Sequence, residues 1–342
     1  MQSRDTLSAK RPESCPYIRT GVVTGDESRH KLGKIEAARH NVREIAGNGT
    51  SDKPGAGWRE GNRAVVSRLA GALLRAMLIM VLVLAPSMLV PGLSADAQQT
   101  VALVALFAAV LTYAEYNASF PGLIEFRDAP PFNRTRFLLL TVTLLSLSMI
   151  ERGRFDPDTL TQLIEATGAL VGQLMDFPYS PVRLVTQAMT PGASEAEIAI
   201  VRTAAGMAYL ASFLTLVFFC FQMRLGNWPR RGQIFNVWIN LPTFDPTSVS
   251  DIVARLERDA RVNIALGFLL PFIAPAVARF AMGGLDPAAL TAPHTLIWTM
   301  TSWAFLPASL FMRGIAMLRV AQMVRDKRRA NLPTSGTALA TA

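Results

Sequence analysis

A chain of 342 residues that is 51% hydrophobic and only 17% charged departs from soluble globular proteins, in which about a quarter of residues are charged. Its net charge of +9 would point to nucleic acid in a soluble protein, but the basic residues gather beside long apolar runs, so the expected partner is the lipid bilayer and not nucleic acid. Two cysteines, Cys15 and Cys220, exclude a disulfide framework and a cysteine-built metal site.

Residues 1–62 are polar, without a sustained apolar period, and read as a disordered basic tail because they bury too little to offset ordering entropy. Eight acidic residues between Asp5 and Glu60 argue against a transit peptide, which is poor in acids. The first uncharged run, Ala76–Ala95, follows Arg63, Arg68 and Arg75. Twenty residues match a hydrocarbon core of roughly 30 Å. The same run, with Pro91-Gly92 and the Ala95-Asp96-Ala97 triplet before Gln98, has the layout of a cleavable signal peptide; the long preceding tail favours a retained helix.

A second run covers residues 100–115. A charged connector with Pro130-Pro131 leads to a third, Phe137–Ile150. Its 14 uncharged residues span only with snorkelling by Arg136 and Arg152 or local thinning. Between 151 and 202, Leu160, Leu163, Ile164, Thr167, Leu170, Val171, Leu174 and Met175 keep a helical apolar spacing behind Asp156-Pro157, the pattern of an amphipathic surface helix. Ser194 to Glu197 is a capping-box pattern that opens a helix into the fourth run, Thr203–Met223. A second amphipathic helix is expected over Ser248–Arg261, with Arg255–Asp259 and Glu257–Arg261 spaced as ion pairs. The fifth run is Val262–Ala278 and the sixth is 293–312. A basic tail follows, with residues 330–342 disordered.

Counting all six runs as spans places 29 of the 34 basic residues on one side, in segments 1–75, 116–136, 224–261 and 313–342. By the positive-inside rule that side is the cytoplasm. Leaving out the third run would place Arg224, Arg230 and Arg231 outside. The bias of 29 arginines over 5 lysines fits a high-GC bacterium and hence its inner membrane.

Little in the chain points to chemistry. His30 and His40 lie in the tail and His294 at the start of the sixth run, so two histidines never meet at bilayer depth. No HExxH, Walker A, GxSxG or CxxC pattern occurs, and no cofactor or metal is expected. One candidate cluster stands at the cytoplasmic rim, Glu115, Glu125, Arg127 and Asp128, with Tyr113, Tyr116 and Asn117 beside it. It reads either as carboxylates poised for proton or cation handling or as a helix end whose charges pair locally. Arg255, Arg258 and Arg261 form a candidate contact for anionic lipid or for a partner. Pro271 and Pro275 in the fifth run and Pro307 in the sixth suggest broken helices of the transporter kind. Small pairs at Ala204/Ala208, Ala274/Ala278 and Ala304/Ala308 suit close helix packing.

The sequence therefore reads as an all-α, polytopic bundle of about six spans, with one amphipathic surface helix on each side. The expected role is non-enzymatic: a scaffold, assembly factor or accessory subunit working with other membrane proteins. The alternative is a small-solute or ion transporter built on the proline-interrupted spans.

Overall fold

Each apolar run folds as a helix whose ends fall where the sequence supplies a cap or a breaker. The computed structural model describes residues 56–226, 228, 240–241, 251–281 and 286–330; the expected disordered stretches lie largely outside them. Among the described residues the helices are α1 (Ala56–Leu89), α2 (Ala95–Asn117), α3 (Phe132–Gly153), α4 (Thr159–Leu174), α5 (Pro181–Gln187), α6 (Glu195–Leu225), α7 (Ile252–Ala281), α8 (Pro287–Leu290) and α9 (Pro293–Ala330). The chain divides into two units, Met1–Val65 and Val66–Ala342. Of the first, only the helical stretch from Ala56 is described; the packed bundle belongs to the second.

Among the described residues five helices are long and apolar enough to cross a membrane: α1 from Val65, α2, α6, α7 and α9. This is a multi-pass membrane protein. α1 ends before Pro91, and Gly92 turns the chain with a φ of 94°, a left-handed conformation that favours glycine. Ser94 then caps α2 by accepting from the Ala97 N–H at 3.2 Å, so the Ala95-Asp96-Ala97 triplet is the first turn of that helix.

α3 packs against α4, α6 and α9 and buries Leu139, Thr143, Leu144, Leu147 and Ser148. A helix surrounded by other helices meets less lipid, so its exterior need not be uniformly apolar. That accounts for an uncharged run shorter than the helix itself, which extends to 22 residues.

The remaining contacts form where backbones come close. α4 crosses α6 at Gly168, Gly172 and Gly206, and α7 meets α9 at Gly267 and Gly314. A β-carbon on Gly172 would lie 2.6 Å from the Arg202 carbonyl oxygen, and one on Gly267 2.8 Å from that of Pro307. Lipid offers no hydrophobic drive for helices to associate, so such small-residue contacts supply the packing. Ala204, Ala208, Ala304 and Ala308 are buried as expected, whereas Ala274 is exposed. Two buried clusters follow one another along the bundle. One gathers Leu144, Leu147, Val201, Ile297 and Met300; the other gathers Phe126, Phe132, Phe219, Leu256 and Met312.

Three boundaries differ from the sequence-based expectation. α4 starts at Thr159 with Asp158 as its cap, so Asp156-Pro157 stands ahead of the helix instead of supplying its cap and first-turn proline. The helix expected over Ser248–Arg261 is not separate from the fifth run: α7 continues unbroken through Arg261 and Val262, since no proline or glycine interrupts Arg-Val-Asn. Residues 248–250 lie outside those described. α9 runs on from Met312 to Ala330, so the basic residues assigned to a tail stand on a helix. The two extensions hold each other. Glu257 pairs with Arg325, and Asp251 with Arg328 at 2.6 Å, while Val253, Leu256 and Ala260 are buried in the second cluster.

Candidate functional site

The loop from Ala118 to Pro131 gathers the expected rim cluster, and each member has a structural engagement. Glu115, in the last turn of α2, turns its carboxylate onto the loop. Its Oε2 accepts from the Gly122, Leu123 and Ile124 N–H groups at 3.0, 2.9 and 3.2 Å. Three donors that would otherwise want a partner are thereby satisfied by one anion. Arg127 closes the other side, its Nη1 donating to the carbonyls of Glu115 at 3.0 Å and Ala118 at 2.6 Å. Its Nε lies 3.3 Å from Asp128 Oδ1.

Glu125 faces away from this knot and into the bundle. Arg313 of α9 grips it with two parallel hydrogen bonds, Nε to Oε2 at 2.6 Å and Nη2 to Oε1 at 2.8 Å. The third nitrogen, Nη1, donates to Asn263 Oδ1 of α7 at 2.9 Å. One guanidinium thus ties the loop, α7 and α9 together. Next to it, Phe126 takes a positive φ of 52° and is wholly buried, with ring centroids 4.6 Å from Phe132 and 5.9 Å from Trp228. Its N–H donates to the Asn240 carbonyl, and the Asp128 N–H to the Asn240 side chain. The loop is a plug in the end of the bundle, with its charges holding it there.

Sequence reasoning missed Arg313 and Arg136. Arg136 of α3 donates from Nε to Ser309 Oγ at 3.2 Å and lies between the rings of Phe132 and Phe305, at 5.3 and 5.5 Å. A signal was present: arginine beside aromatic residues in a helix of an apolar protein suggests a guanidinium held over ring faces. Arg313 sits 188 residues from Glu125, and no local pattern joins them.

The other candidate residues divide. Arg258 and Arg261 are exposed, Arg258 lying 3.5 Å from Asp259, and Arg255 is half-buried. The prolines do not break their helices as expected: α7 runs on through Pro271 and Pro275, and α9 through Pro307. Pro275 has no N–H for the carbonyl of Pro271, and the Trp303 indole N–H of α9 donates to that oxygen at 3.3 Å. A cavity of about 150 Å³ beside it is lined by Gly267, Pro271, Trp303, Pro307 and Tyr209, with no ionisable group other than that phenol. His294 stands in the first turn of α9, and among the described residues no group of three or more His, Cys, Asp or Glu has the spacing of a metal site.

Compared with protein families, with curated proteins and with solved structures, the chain matches none.

Proposed function

We propose that the protein is a non-catalytic component of a larger membrane assembly, a scaffold, assembly factor or accessory subunit. It sits in a bacterial inner membrane with both termini in the cytoplasm. In this reading α3 is a sixth span. Its 22 residues reach about 33 Å at 1.5 Å per residue, its charges stand near its ends, and its hydroxyls face neighbouring helices. Six crossings keep 29 of 34 basic residues on the cytoplasmic side.

The observation that carries the functional reading is α4. One side of it is locked against α6 through Gly168 and Gly172. The other presents Leu160, Leu163, Leu170 and Leu174, each more than half exposed, with exposed Phe155, Phe177 and Tyr179 flanking the helix. A helix lying on a membrane surface has a strongly charged outer face. α4 carries a single charge, Glu165, in 16 residues. With six spans this face belongs to the outer side of the membrane, where a second protein covers it.

The test is a photoreactive residue at position 163 or 170, activated in native membranes, followed by gentle extraction. A discrete cross-linked protein and a co-purifying complex are expected. Cross-links to lipid alone, with a lone monomer after extraction, refute the reading. The second reading, a carrier for small apolar solutes, draws on the cavity beside Pro271 and Pro307. Transport of such a solute by the reconstituted protein alone would favour it.

A further inference from the structure

Where α2 ends and α3 begins, a cavity of about 660 Å³ opens between α1, α2, α3 and the 118–131 loop. Its wall carries four arginines, Arg75, Arg127, Arg134 and Arg136, and no aspartate or glutamate. Arg127 is already engaged with two loop carbonyls. The other three have no ion-pair partner among the described residues. Two of them are held in place from behind. Arg75 donates to the Gly71 carbonyl of its own helix and lies 4.7 Å over the Tyr116 ring. Arg136 is fixed through Nε by Ser309 and by two aromatic faces, which leaves its terminal nitrogens without a hydrogen-bond partner among the described residues.

Thr112, Tyr116 and Asn133 are the other polar residues of the wall, and the rest of it is apolar. Leu74, Leu78 and Leu123 line the cavity and are exposed as well, so it opens sideways onto the surface that hydrocarbon covers, with Ile79, Phe137 and Leu140 further in. The carboxylate of Glu125 acts on Arg136 from behind, but Arg313 holds both of its oxygens. Positive charges that face one another with too little counter-charge disfavour the compact state, and a guanidinium is suited to bidentate contact with phosphate oxygens. A free phosphate would satisfy the basic pole and leave the apolar pole empty. A molecule with both poles fits both.

We propose that this cavity binds an anionic phospholipid, its phosphate on Arg75, Arg134 and Arg136 and its acyl chains along Leu74, Leu78 and Leu140. The site requires neither the assembly role proposed above nor a particular count of spans. It selects against a zwitterionic headgroup, because a choline cation would be brought up to the same guanidinium groups. The lipid is part of the seam that joins α1 and α2 to the rest of the bundle, where α2 itself buries only Ala105 and Ala109.

The test uses the full-length protein in a non-ionic detergent, with dioctanoyl phosphatidylglycerol, dioctanoyl phosphatidylcholine and inorganic phosphate as probes and native mass spectrometry as readout. One phosphatidylglycerol should bind saturably. Phosphatidylcholine should bind much more weakly, and excess inorganic phosphate should not displace the bound lipid. Arg75→Gln with Arg136→Gln should weaken binding by at least about tenfold, the scale of losing one or two charge-assisted contacts. Because Arg136 also contacts Ser309, folding of that variant is checked by its melting curve. Leu140→Trp fills the apolar half without touching a charge and should weaken phosphatidylglycerol binding on its own. Equal binding of phosphatidylcholine, displacement by phosphate, or full affinity in Leu140→Trp and in the folded arginine variant would each overturn the proposal. Displacement by phosphate would identify the ligand as a free anion.

Discussion

The contact between Glu125 and Arg313 is where one substitution should be felt across the bundle. The two side chains are 13% and 28% exposed and share two hydrogen bonds of 2.6 and 2.8 Å. Breaking a buried pair from one side costs about 3–5 kcal/mol, because the surviving charge is left without its partner. Arg313 keeps Asn263 and some access to solvent, which argues for the lower end, about 3 kcal/mol for Glu125→Ala. Glu125→Gln preserves the shape and removes the charge, so it should cost less. The double change Glu125→Gln with Arg313→Gln should be milder than the sum of the single ones, with a coupling of about 1–3 kcal/mol. Equilibrium unfolding in mixed micelles supplies all four corners of the cycle. Additive single effects, each below about 0.5 kcal/mol, would show that the pair contributes nothing and that the loop is held by its other contacts.

Three further outcomes follow from the geometry. Gly206→Ala places a β-carbon 2.5 Å from the Gly168 carbonyl oxygen and should destabilise the α4–α6 crossing by about 1–3 kcal/mol; Ala274→Val, at an exposed position, serves as the near-neutral control in the same unfolding assay. Trp303→Phe removes the donor to the Pro271 carbonyl and should cost about 1–2 kcal/mol, seen as a lower melting temperature, whereas an unchanged one would mean that the freed carbonyl needs no partner. Asp158 accepts from the Thr161 N–H at 2.8 Å at the start of α4, and that bond, followed by the bond with the Thr161 side chain, holds its carboxyl below the ordinary range. A depressed folded value stabilises above the unfolded pKa of about 3.9, and the contribution is lost as pH falls through the folded value. Hydrogen exchange in the first turn of α4 should therefore be slower in the wild type than in Asp158→Ala at neutral pH, and the two should converge in acid; a difference that persists in acid would contradict the assignment.

How far the chain could be read depended on the range of each interaction. Hydropathy located all six apolar runs, and local capping patterns located the start of α6 at Ser194, because both signals lie within a few residues of what they determine. α3 is longer than its uncharged run, since its neighbours rather than lipid decide what its surface tolerates. The α7 extension looked like a separate surface helix because its charges resemble a solvated face. Glu257 and Asp251 instead meet Arg325 and Arg328 on α9, partners that only the folded chain brings near. Gly168 and Gly172 stand four apart, a spacing that marks close helix contact in membranes; the signal for that crossing was present but went unread, because the apolar period of the same segment suggested a surface helix. The rim cluster was legible as a set of residues. Its use as a fastening was not, because Arg313, Asn240 and the amides of residues 122–124 are either distant in sequence or belong to the backbone.

The orientation of the whole molecule in the membrane turns on α3. Reporter fusions or single-cysteine labelling near positions 125, 185 and 335 in the intact membrane decide it. Six spans predict that positions 125 and 335 face the cytoplasm and that position 185 alone faces outward. A cytoplasmic signal at 185 would remove α3 from the spanning set, place the leucine face of α4 on the other side, and contradict the proposed arrangement.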